Sequence, residues 1–456
     1  MGAGDKINLS WPGKESVLSG QNRRAEKLKQ MVYPRPLTEK TLFTPEIKER
    51  RIEPDGVNRS FLGDNLEVME QLIGAGYENN IDLIYIDPPY MSSSNYHAKT
   101  VVEGKDYKKT ISRLVFTDTW KDDINNYLTH IYPRLQMMYR LLKENGSIFV
   151  HLDWHISHYV KILLDEIFSP RSFVNEIVWC YSGGSGAGKH FQRKHDIILW
   201  YVKGPDYIFH PQYRPYSEGT RQRGLTQVKG DKYQLNEKGA NLQDWWSDIN
   251  KILSPTAREN LKFPTQKPMA LAERIIAAAS DPDSLVADFY SGSGTTAAAC
   301  EKLGRSWICC DLSPLAIDTM SRRLIKSKSR PFSIETDKEY IKPDNAGIKI
   351  ETTTTQMGED TIEINIFIKE FVPRRENVPG DSPALFIHFW EVDLDHDGKD
   401  FHSDIQVLRN TAKYDDSLCL DVNVRVPARE SFYIAVMVHD LWGDITMARV
   451  KIESMI

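Results

Sequence analysis

The sequence has few cysteines and no long apolar segment. Its 456 residues include five cysteines, none in a C-x-x-C pair, which argues against a disulfide framework and against a zinc site. No apolar run reaches the roughly 18 residues that a membrane-spanning helix needs, and the N-terminus has no apolar signal-peptide core. These absences exclude secreted disulfide-rich proteins and membrane proteins. They predict a cytoplasmic chain without a metal centre.

The net charge conceals two parts of opposite sign. The whole chain has a formal net charge of −5, but residues 331–456 hold 13 Lys and Arg against 24 Asp and Glu. The rest of the chain therefore has a net charge of +6. Because the field of a whole domain steers its partners, residues 1–330 could bind a polyanion that residues 331–456 would repel.

Hydrophobic patterning divides the chain into three segments. Residues 1–57 are rich in basic residues with little periodicity, and we interpret them as a basic arm. Residues 58–330 alternate between buried-strand and amphipathic-helix patterns, which is typical of an open α/β sheet. In residues 331–456 the apolar period becomes two, with no helical pattern between the strands. That change predicts a separate, acidic, all-β domain of the sandwich type.

The first motif that suggests chemistry is Asp87-Pro88-Pro89-Tyr90, which follows an apolar strand pattern at 81–86. The carboxyl ends of parallel strands form the ligand-binding edge of an α/β sheet. The Asp87 carboxylate and the Pro88 carbonyl can each accept one N–H of an amine that is a poor nucleophile. The prolines fix these acceptors in advance, and Tyr90 offers a face for a planar base. A plain turn after a strand is the alternative for the tetrapeptide alone.

A second motif, Asp288 to Thr296, places a glycine loop between a predicted strand and a predicted helix. Glycines let the backbone approach a ligand, and a helix N-terminus presents free N–H groups. The loop lacks the lysine of a phosphate-binding loop and the spacing of a dinucleotide fingerprint. Asp311 ends the next predicted strand, where a carboxylate can hydrogen-bond both hydroxyls of a ribose. The alternatives are a structural turn at the glycines and a surface cap at Asp311.

Together the two motifs resemble the amino-methyltransferases of DNA. The tetrapeptide precedes the glycine loop by about two hundred residues. That order is similar to the circularly permuted β group of adenine-N6 methyltransferases, especially the modification subunits of type III restriction systems. Other matching stretches are Trp11 to Lys14, Gly63 to Val68, Tyr127 to Phe168, Phe173 to Trp179, Arg193 to Asp196 and Pro264 to Pro268.

The resemblance implies a Rossmann-like methyltransferase sheet that uses S-adenosyl-L-methionine to methylate the N6 amine of a flipped adenine in duplex DNA. The catalytic residues are then Asp87, Pro88, Pro89 and Tyr90. The implied cofactor-binding residues are Phe289, Gly292, Gly294 and Thr295 around the methionine part, Asp288 at its amino group, Lys267 at its carboxylate, Asp311 at the ribose and Asp64 at the adenine. Aspartate in place of serine at position 87 favours adenine over cytosine in this family.

Residues 181–266 interrupt the α/β pattern where type III modification subunits carry a longer target-recognition insertion. The basic and aromatic residues of this segment predict DNA contacts, which we assign to Arg214, Arg221, Arg223 and Lys229. A solvated basic face is the alternative. The resemblance also implies a role in a restriction-modification or related phage-defence system. It leaves room for a homodimer and for a helicase–nuclease restriction subunit as partners.

Other functions stay open at this point. They are a methyltransferase that acts on RNA or on a protein amide, a cytosine-N4 methyltransferase of DNA, and a DNA-binding module without catalysis. The first group typically carries asparagine where this chain has Asp87 and lacks the permuted order. Intact motifs for both catalysis and the cofactor count against the third.

An acidic run near the C-terminus imitates a calcium-binding loop at Asp393, Asp395, Asp397, Gly398 and Asp404. Strand patterns flank the run, and Asp400 occupies a position that is usually apolar in such loops. We therefore expect an exposed acidic hairpin there.

Overall fold

The computed structural model describes residues 8–15, 27–37, 58–104, 107–183, 188–225, 235–254, 257–337, 340–342, 347–373, 383–410 and 417–453. Within these ranges the helices are α1 (Asn65–Gly74), α2 (Ile124–Leu141), α3 (Ser157–Phe168), α4 (Glu218–Leu225), α5 (Met269–Ala279), α6 (Thr295–Leu303) and α7 (Pro314–Lys326). The first strands are β1 (Lys27–Val32), β2 (Pro36–Leu37), β3 (Asn58–Leu62), β4 (Ile81–Ile86), β5 (Ser94–Gly104), β6 (Tyr107–Asp118), β7 (Leu142–Leu152) and β8 (Phe173–Cys180). They are followed by β9 (His195–Val202), β10 (Tyr213–Arg214), β11 (Ala240–Asn241), β12 (Trp245–Trp246), β13 (Leu285–Asp288), β14 (Ser306–Asp311), β15 (Phe332–Asp337) and β16 (Ile341–Lys342). The last strands are β17 (Ile348–Gln356), β18 (Thr361–Phe371), β19 (Ile387–Asp393), β20 (Phe401–Ser403), β21 (Ile405–Leu408), β22 (Asp421–Pro427), β23 (Ser431–Asp440) and β24 (Ile445–Glu453).

An eleven-stranded sheet organises the first two thirds of the chain, with the strand order β12-β8-β9-β7-β4-β13-β14-β3-β15-β1-β20. Its central strands β7, β4, β13, β14, β3 and β15 are parallel, whereas β9 runs antiparallel between β7 and β8. Helices α1, α2 and α3 cover one face, and α5, α6 and α7 cover the other. The predicted Rossmann-like α/β sheet is confirmed.

The sequence of β4 shows why its strand lies in the middle of this sheet. All six of its residues are buried. Leu83 and Tyr85 pack toward α5, α6 and α7, while Ile84 and Ile86 pack toward α1, α2 and α3. A strand covered on both faces needs apolar residues at nearly every position, so the continuous run at 81–86 was a reliable signal.

Strand pairing brings the two distant motifs to one edge. In the parallel pair of β4 with β13, Leu83 lies beside Val286 and Ile84 beside Ala287. β14 pairs with β13 on its other side. Parallel strands end at the same edge, so the residues after β4, β13 and β14 meet there.

The C-terminal part is a two-sheet β structure. One sheet has the order β16-β24-β23-β19-β21-β2, and the other has the order β17-β18-β22. Buried and partly exposed residues alternate along the first eight residues of β18, with Ile362, Ile364, Ile366 and Ile368 facing the common core. This alternation is the period-two pattern of a strand that is covered on one face.

Part of the expected N-terminal arm forms strands that join the two sheets. β1 pairs antiparallel with β15 of the large sheet and parallel with β20. β2 pairs with β21 of the β domain. The rest of the arm, residues 1–7, 16–26 and 38–57, lies outside the described residues.

The hairpin of β5 and β6 was not recognised in the sequence, and it connects the two domains. Ile111 of β6 belongs to the core of the β domain, whereas Ala98 and Val115 pack against Leu315 at the start of α7. Arg113 of β6 is buried, and burial lowers its pKa although nearby carboxylates oppose the shift. The hairpin therefore has contacts in both halves of the molecule.

The acidic run near residue 400 is only partly exposed. Asp393 and Asp404 are buried, and their carboxylates accept backbone N–H groups, including those of His402 and Leu394. Asp395 and Asp397 are exposed. Among the described residues, no group of acidic, histidine or cysteine side chains could hold a metal ion. In the same part of the chain, no helix is long and apolar enough to span a membrane.

Replacing Ile111 tests the connection between hairpin and β domain. Ile111→Ala should lower the free energy of unfolding by about 2–5 kcal/mol, because Ile111 is only 4% exposed and its removal leaves a cavity. Val101→Ala in β5 should change it by no more than about 0.5 kcal/mol, since Val101 is 52% exposed. Urea unfolding of both variants measures the difference. Equal effects would show that Ile111 is not part of the core.

Candidate active site

A cavity of about 500 Å³ opens where β4, β13 and β14 end. Its volume is in the range of small-molecule sites. The structure brings both sequence motifs to its wall. The predicted site residues that line it are Asp64, Asp87, Pro88, Pro89, Tyr90, Lys267, Asp288, Phe289, Gly292, Thr295 and Asp311. Gly294 lies between the lining residues Ser293 and Thr295.

Lys267 connects the two motifs. Its Nζ donates to Asp87 Oδ2 at 2.5 Å and lies 3.0 Å from the hydroxyl of Tyr90, which itself donates to Asp87 Oδ1. The carbonyl of Lys267 accepts a hydrogen bond from the Thr295 hydroxyl at 3.3 Å. The resemblance placed Lys267 at a cofactor carboxylate, and the structure places its ammonium on Asp87. The positive charge of Lys267 compensates the negative charge of Asp87, and both side chains are largely buried in the cavity wall.

A buried chain of polar side chains lies behind Tyr90. The Tyr85 hydroxyl is 3.1 Å from His151 Nδ1, and His151 Nε2 is 3.1 Å from Asp196 Oδ2. Tyr181 donates to the other oxygen of Asp196, and the His151 ring stacks on Tyr90 with centroids 6.1 Å apart. Burial alone would raise the pKa of Asp196, but the hydrogen bond and charge of His151 and two nearby lysines hold it below its ordinary range. Asp196 therefore fixes the orientation of the His151 ring, which packs against the Tyr90 ring.

Asp118 fixes the backbone of the loop after the proline pair. Its carboxylate accepts the backbone N–H groups of Tyr90, Met91 and Ser92 at 3.1, 2.7 and 2.9 Å, and the indole N–H of Trp120 at 2.8 Å. Asp118 is 1% exposed. Sequence reasoning missed this residue, because it ends the unrecognised hairpin and lies 28 residues from Tyr90.

The glycine loop and Asp311 hold each other. The Gly292 N–H donates to Asp311 Oδ2 at 2.8 Å, and the Ser313 N–H donates to Oδ1 at 2.9 Å. Burial raises the pKa of Asp311, while these backbone donors oppose the shift. Gly294 has a left-handed backbone with φ of 71°, and a Cβ there would overlap the side chain of Met320. Position 294 thus requires glycine for both conformation and space.

Asp288 is the buried acid of the glycine loop. Its carboxylate accepts the Tyr290 N–H at 3.0 Å and the Thr296 hydroxyl at 2.5 Å. Burial raises the pKa of Asp288 to about 7, with the charges of Asp87 and Asp311 acting in the same direction and the two hydrogen bonds acting against it. The group therefore titrates near neutral pH.

Asp64 lines the cavity and also holds two groups of the protein. It caps α1 by accepting the Leu66 N–H at 2.8 Å, and it forms an ion pair with Arg134 at 2.6 Å. Arg134 also donates to Asn65, whose side chain donates to the carbonyl of Phe289. These contacts tie the start of α1 to the glycine loop.

His130 lies in the same wall of the cavity. Burial and the charge of Arg134 lower the pKa of His130 to about 3, so this histidine is neutral.

The residues predicted to contact DNA lie elsewhere. The segment that carries them leaves the core where the His210 N–H donates to the carbonyl of Ala278, near the end of α5. Lys267 lies in the cavity just before α5. The eleven residues of α5 therefore separate the cavity from the point where the segment leaves the core by about 16 Å. Arg214 is in β10, and Arg221 is exposed in α4. Neither is among the described residues that line the cavity. The Arg223 side chain and all of Lys229 fall outside the described part of the chain.

Hydrogen exchange tests the role of Asp118. Asp118→Ala removes the acceptor of three backbone N–H groups, so the amides of Tyr90 to Ser92 should exchange at least about tenfold faster. Asp123→Ala is the matched control, because Asp123 caps α2 through Asn125 and does not touch the loop. Mass spectrometry of the peptide that contains Tyr90 measures the change. Unchanged exchange in Asp118→Ala would contradict the assignment.

Comparisons with known proteins match the part of the chain that contains this site. A family model described as DNA methylase matches residues 81–322. The chain is 32% identical over 250 residues to the type II methyltransferase M.HpaI of Haemophilus parainfluenzae, which covers 54% of this chain and 69% of that protein. It is 28% identical over 251 residues to the DNA adenine methyltransferase YhdJ of Escherichia coli K12, which covers 54% of this chain and 76% of YhdJ.

A third relative is longer. The chain is 25% identical over 373 residues to the Mod subunit of the type III restriction-modification enzyme StyLTI of Salmonella typhimurium, which covers 62% of this chain and 57% of that subunit. The chain thus spans little more than half of this relative. Among solved structures, the M1.HpyAVI–SAM complex is 20% identical with a TM-score of 0.38, over 58% of this chain and 98% of that chain.

The family match contains both motifs, the strands that carry them and most of the residues that line the cavity. It spans more than half of the 456 residues. This chain belongs to the DNA methylase family.

Proposed function

We propose that the chain transfers a methyl group from S-adenosyl-L-methionine to the N6 amine of adenine in duplex DNA. The carrying observation is that Asp87 to Tyr90 and the glycine loop share one cavity through the direct pairing of β4 with β13. The relatives M.HpaI and YhdJ are named as methyltransferases, and YhdJ as acting on DNA adenine. Their names support the proposal.

The residues present fit the cofactor. Both oxygens of Asp311 accept backbone N–H groups, which orients the carboxylate and leaves lone pairs for the hydroxyls of a ribose. A Cβ at Gly292 would lie 3.4 Å from the ring of Phe263, so glycine keeps the space in front of the loop open. Asp288 is a buried acid at the place expected for the cofactor's ammonium. When bound, S-adenosylmethionine supplies an electrophilic methyl group.

The chain's own groups would activate the amine. A carboxylate oxygen has two lone pairs, so Asp87 can accept an amine N–H while it holds Lys267 and Tyr90. The carbonyl of Pro88 accepts the other N–H, and the nitrogen lone pair then points out of the plane of the base. Positive charge that develops on the nitrogen is stabilised by Asp87, which can also take the released proton. Asp118 and His151 keep the loop and the Tyr90 ring in place.

The substrate and partners follow from the family pattern and from relatives. Aspartate at position 87 favours adenine over cytosine N4, which is the main alternative. We assign DNA contacts to Arg214, Arg221, Arg223 and Lys229. Because the segment leaves the core near the far end of α5, these contacts would be with DNA at a distance from the target base. A restriction-modification role, a homodimer and a helicase–nuclease partner are further proposals, and the type III relative is their support.

One assay separates the candidate functions. Wild-type protein, incubated with tritiated cofactor and duplex DNA, RNA or protein, should label only DNA, and nucleoside analysis should place the label in N6-methyladenine. Asp87→Ala should reduce transfer by about 100-fold or more, since it removes a preorganised acceptor, while cofactor binding persists. Asp281→Ala, an exposed acid at the far end of α5, is the control and should keep full activity. Label in cytosine, RNA or protein would refute the proposal, and sequencing of methylated host DNA gives the recognition site.

The pKa of Asp288 predicts how cofactor binding depends on pH. An adjacent ammonium favours the ionised carboxylate and lowers its pKa in the complex, so binding releases a proton while the free group, with its pKa of about 7, is still protonated. Affinity should therefore rise from pH 5 toward pH 7, by at most about tenfold per pH unit, and level off above it. In Asp288→Asn this slope should vanish. Calorimetry in buffers of different ionisation enthalpy measures the proton release, and equal slopes in both proteins would contradict the assignment.

A further inference from the structure

The start of β9 projects above the catalytic edge of the sheet. β9 runs antiparallel to β7, with His151 beside Ile198 and Leu152 beside Ile197. Residues 188–194 precede β9 and therefore lie beyond the edge at which β4 ends. Neighbouring strands are separated by about 4.8 Å, so β9 is about 10 Å from β4 across β7. That distance spans only a few stacked base pairs.

Phe191 in this segment is exposed to an unusual degree. Its side chain is 98% exposed, whereas Leu312, the next most exposed large apolar residue of the described chain, is 62% exposed. A phenylalanine held in water gains nothing for folding, because its hydrophobic surface is not buried. Because single exposed apolar residues are common on protein surfaces, it is the position of Phe191 just before β9 and its basic surroundings that point to a contact.

Basic groups on aromatic platforms surround the base of this segment. The guanidinium of Arg193 lies 3.8 Å from the ring centroid of Trp154, and Lys251 Nζ lies 3.6 Å from the ring centroid of Tyr181. Stacking on a ring holds a cation at the surface with its remaining N–H groups directed outward. Of the carboxylates near this segment, Asp196 is buried and paired with His151, and Asp153 is paired with His155. The exposed rim is therefore positively charged and suits a polyanion.

We infer that Phe191 enters the stack of duplex DNA and fills the space left by a base that swings out toward Tyr90, with Arg193 and Lys251 at the flanking phosphates. The inference rests on the proposed function and adds to it how the target base is kept out of the duplex. Extrusion costs unpairing and unstacking, and an inserted aromatic ring restores part of the stacking that the duplex loses. An apolar side chain two residues from Arg193 matches that task, since the bases stack inside a duplex and the phosphates lie along its outside.

Single-turnover methylation by Phe191 variants tests the inference. On duplex DNA with a paired target adenine, Phe191→Ala should be slower by about 5- to 100-fold, the range set by loss of one stacked ring. Phe191→Trp should keep most of the rate, because it is planar and apolar. Phe209→Ala is the matched control: Phe209 is 49% exposed, contacts Trp200 and lies beyond the opposite end of β9.

A second substrate separates a wedge from other roles. When the target adenine faces a base with which it cannot pair, extrusion costs little, and Phe191→Ala should approach the wild-type rate. Equal slowing on both substrates would overturn the inference. So would an unchanged rate on the paired duplex, or loss of a wild-type dimer in Phe191→Ala with no change in rate per site, which would place Phe191 against a second copy. Absence of adenine methylation by the wild type is a different result, because it contradicts the proposed function itself.

Discussion

The parallel pairing of β4 with β13 is the constraint on which the site depends. It brings Asp87 and Asp288, two hundred residues apart in sequence, to adjacent strand ends, and β14 adds Asp311 on the next strand. Three acids lie at one buried edge, where burial raises the pKa of Asp288 and repulsion by the charges of Asp87 and Asp311 adds to that shift. The ammonium of Lys267 on Asp87 offsets part of that repulsion. The same closeness that makes one cavity from two motifs thus comes with a cation on one of the three acids.

The β domain supports this edge from one side. Ile111 of the hairpin is in its core, and Gly443 faces Pro314 at the start of α7, where a Cβ on residue 443 would lie 3.4 Å from the Pro314 side chain. A polar contact adds to the interface: His388 lies 2.6 Å from Asp318 of α7. Burial would raise the pKa of Asp318, but His388 and nearby basic groups such as Arg322 hold it below its ordinary range. The acidic domain is therefore part of the cavity's scaffold.

Local sequence patterns were sufficient to predict several central strands of the large sheet. They were insufficient to predict the hairpin and the side chains that hold the catalytic loop. The strand predicted at 81–86 has those bounds, since an apolar run covered on both faces is a signal within six residues. The hairpin that ends at Asp118 was missed, because its apolar residues divide between two cores. Asp118 itself acts on Tyr90 through backbone N–H groups, which no residue type reveals. Lys267 was found as a site residue, but its partner Asp87 lies 180 residues away and only the pairing of the strands connects them.

The charges of the two ends of the large sheet give a duplex one side from which to approach. The acidic β domain joins the sheet at β1 and β20, whereas the Arg193 and Lys251 rim stands at the β9 end, and the cavity opens between them. The domain with 24 acidic residues repels a DNA duplex, and the rim attracts it, so both favour the β9 end of the sheet. Each effect reaches about 8–10 Å, the screening length in salt solution. The segment with Arg214 and Arg221 emerges beside β12, at the same end of the sheet as the rim. In the proposed complex, a duplex that leaves the rim in that direction would meet the basic segment next, so that the rim would hold the target base pair and the segment would contact DNA farther along.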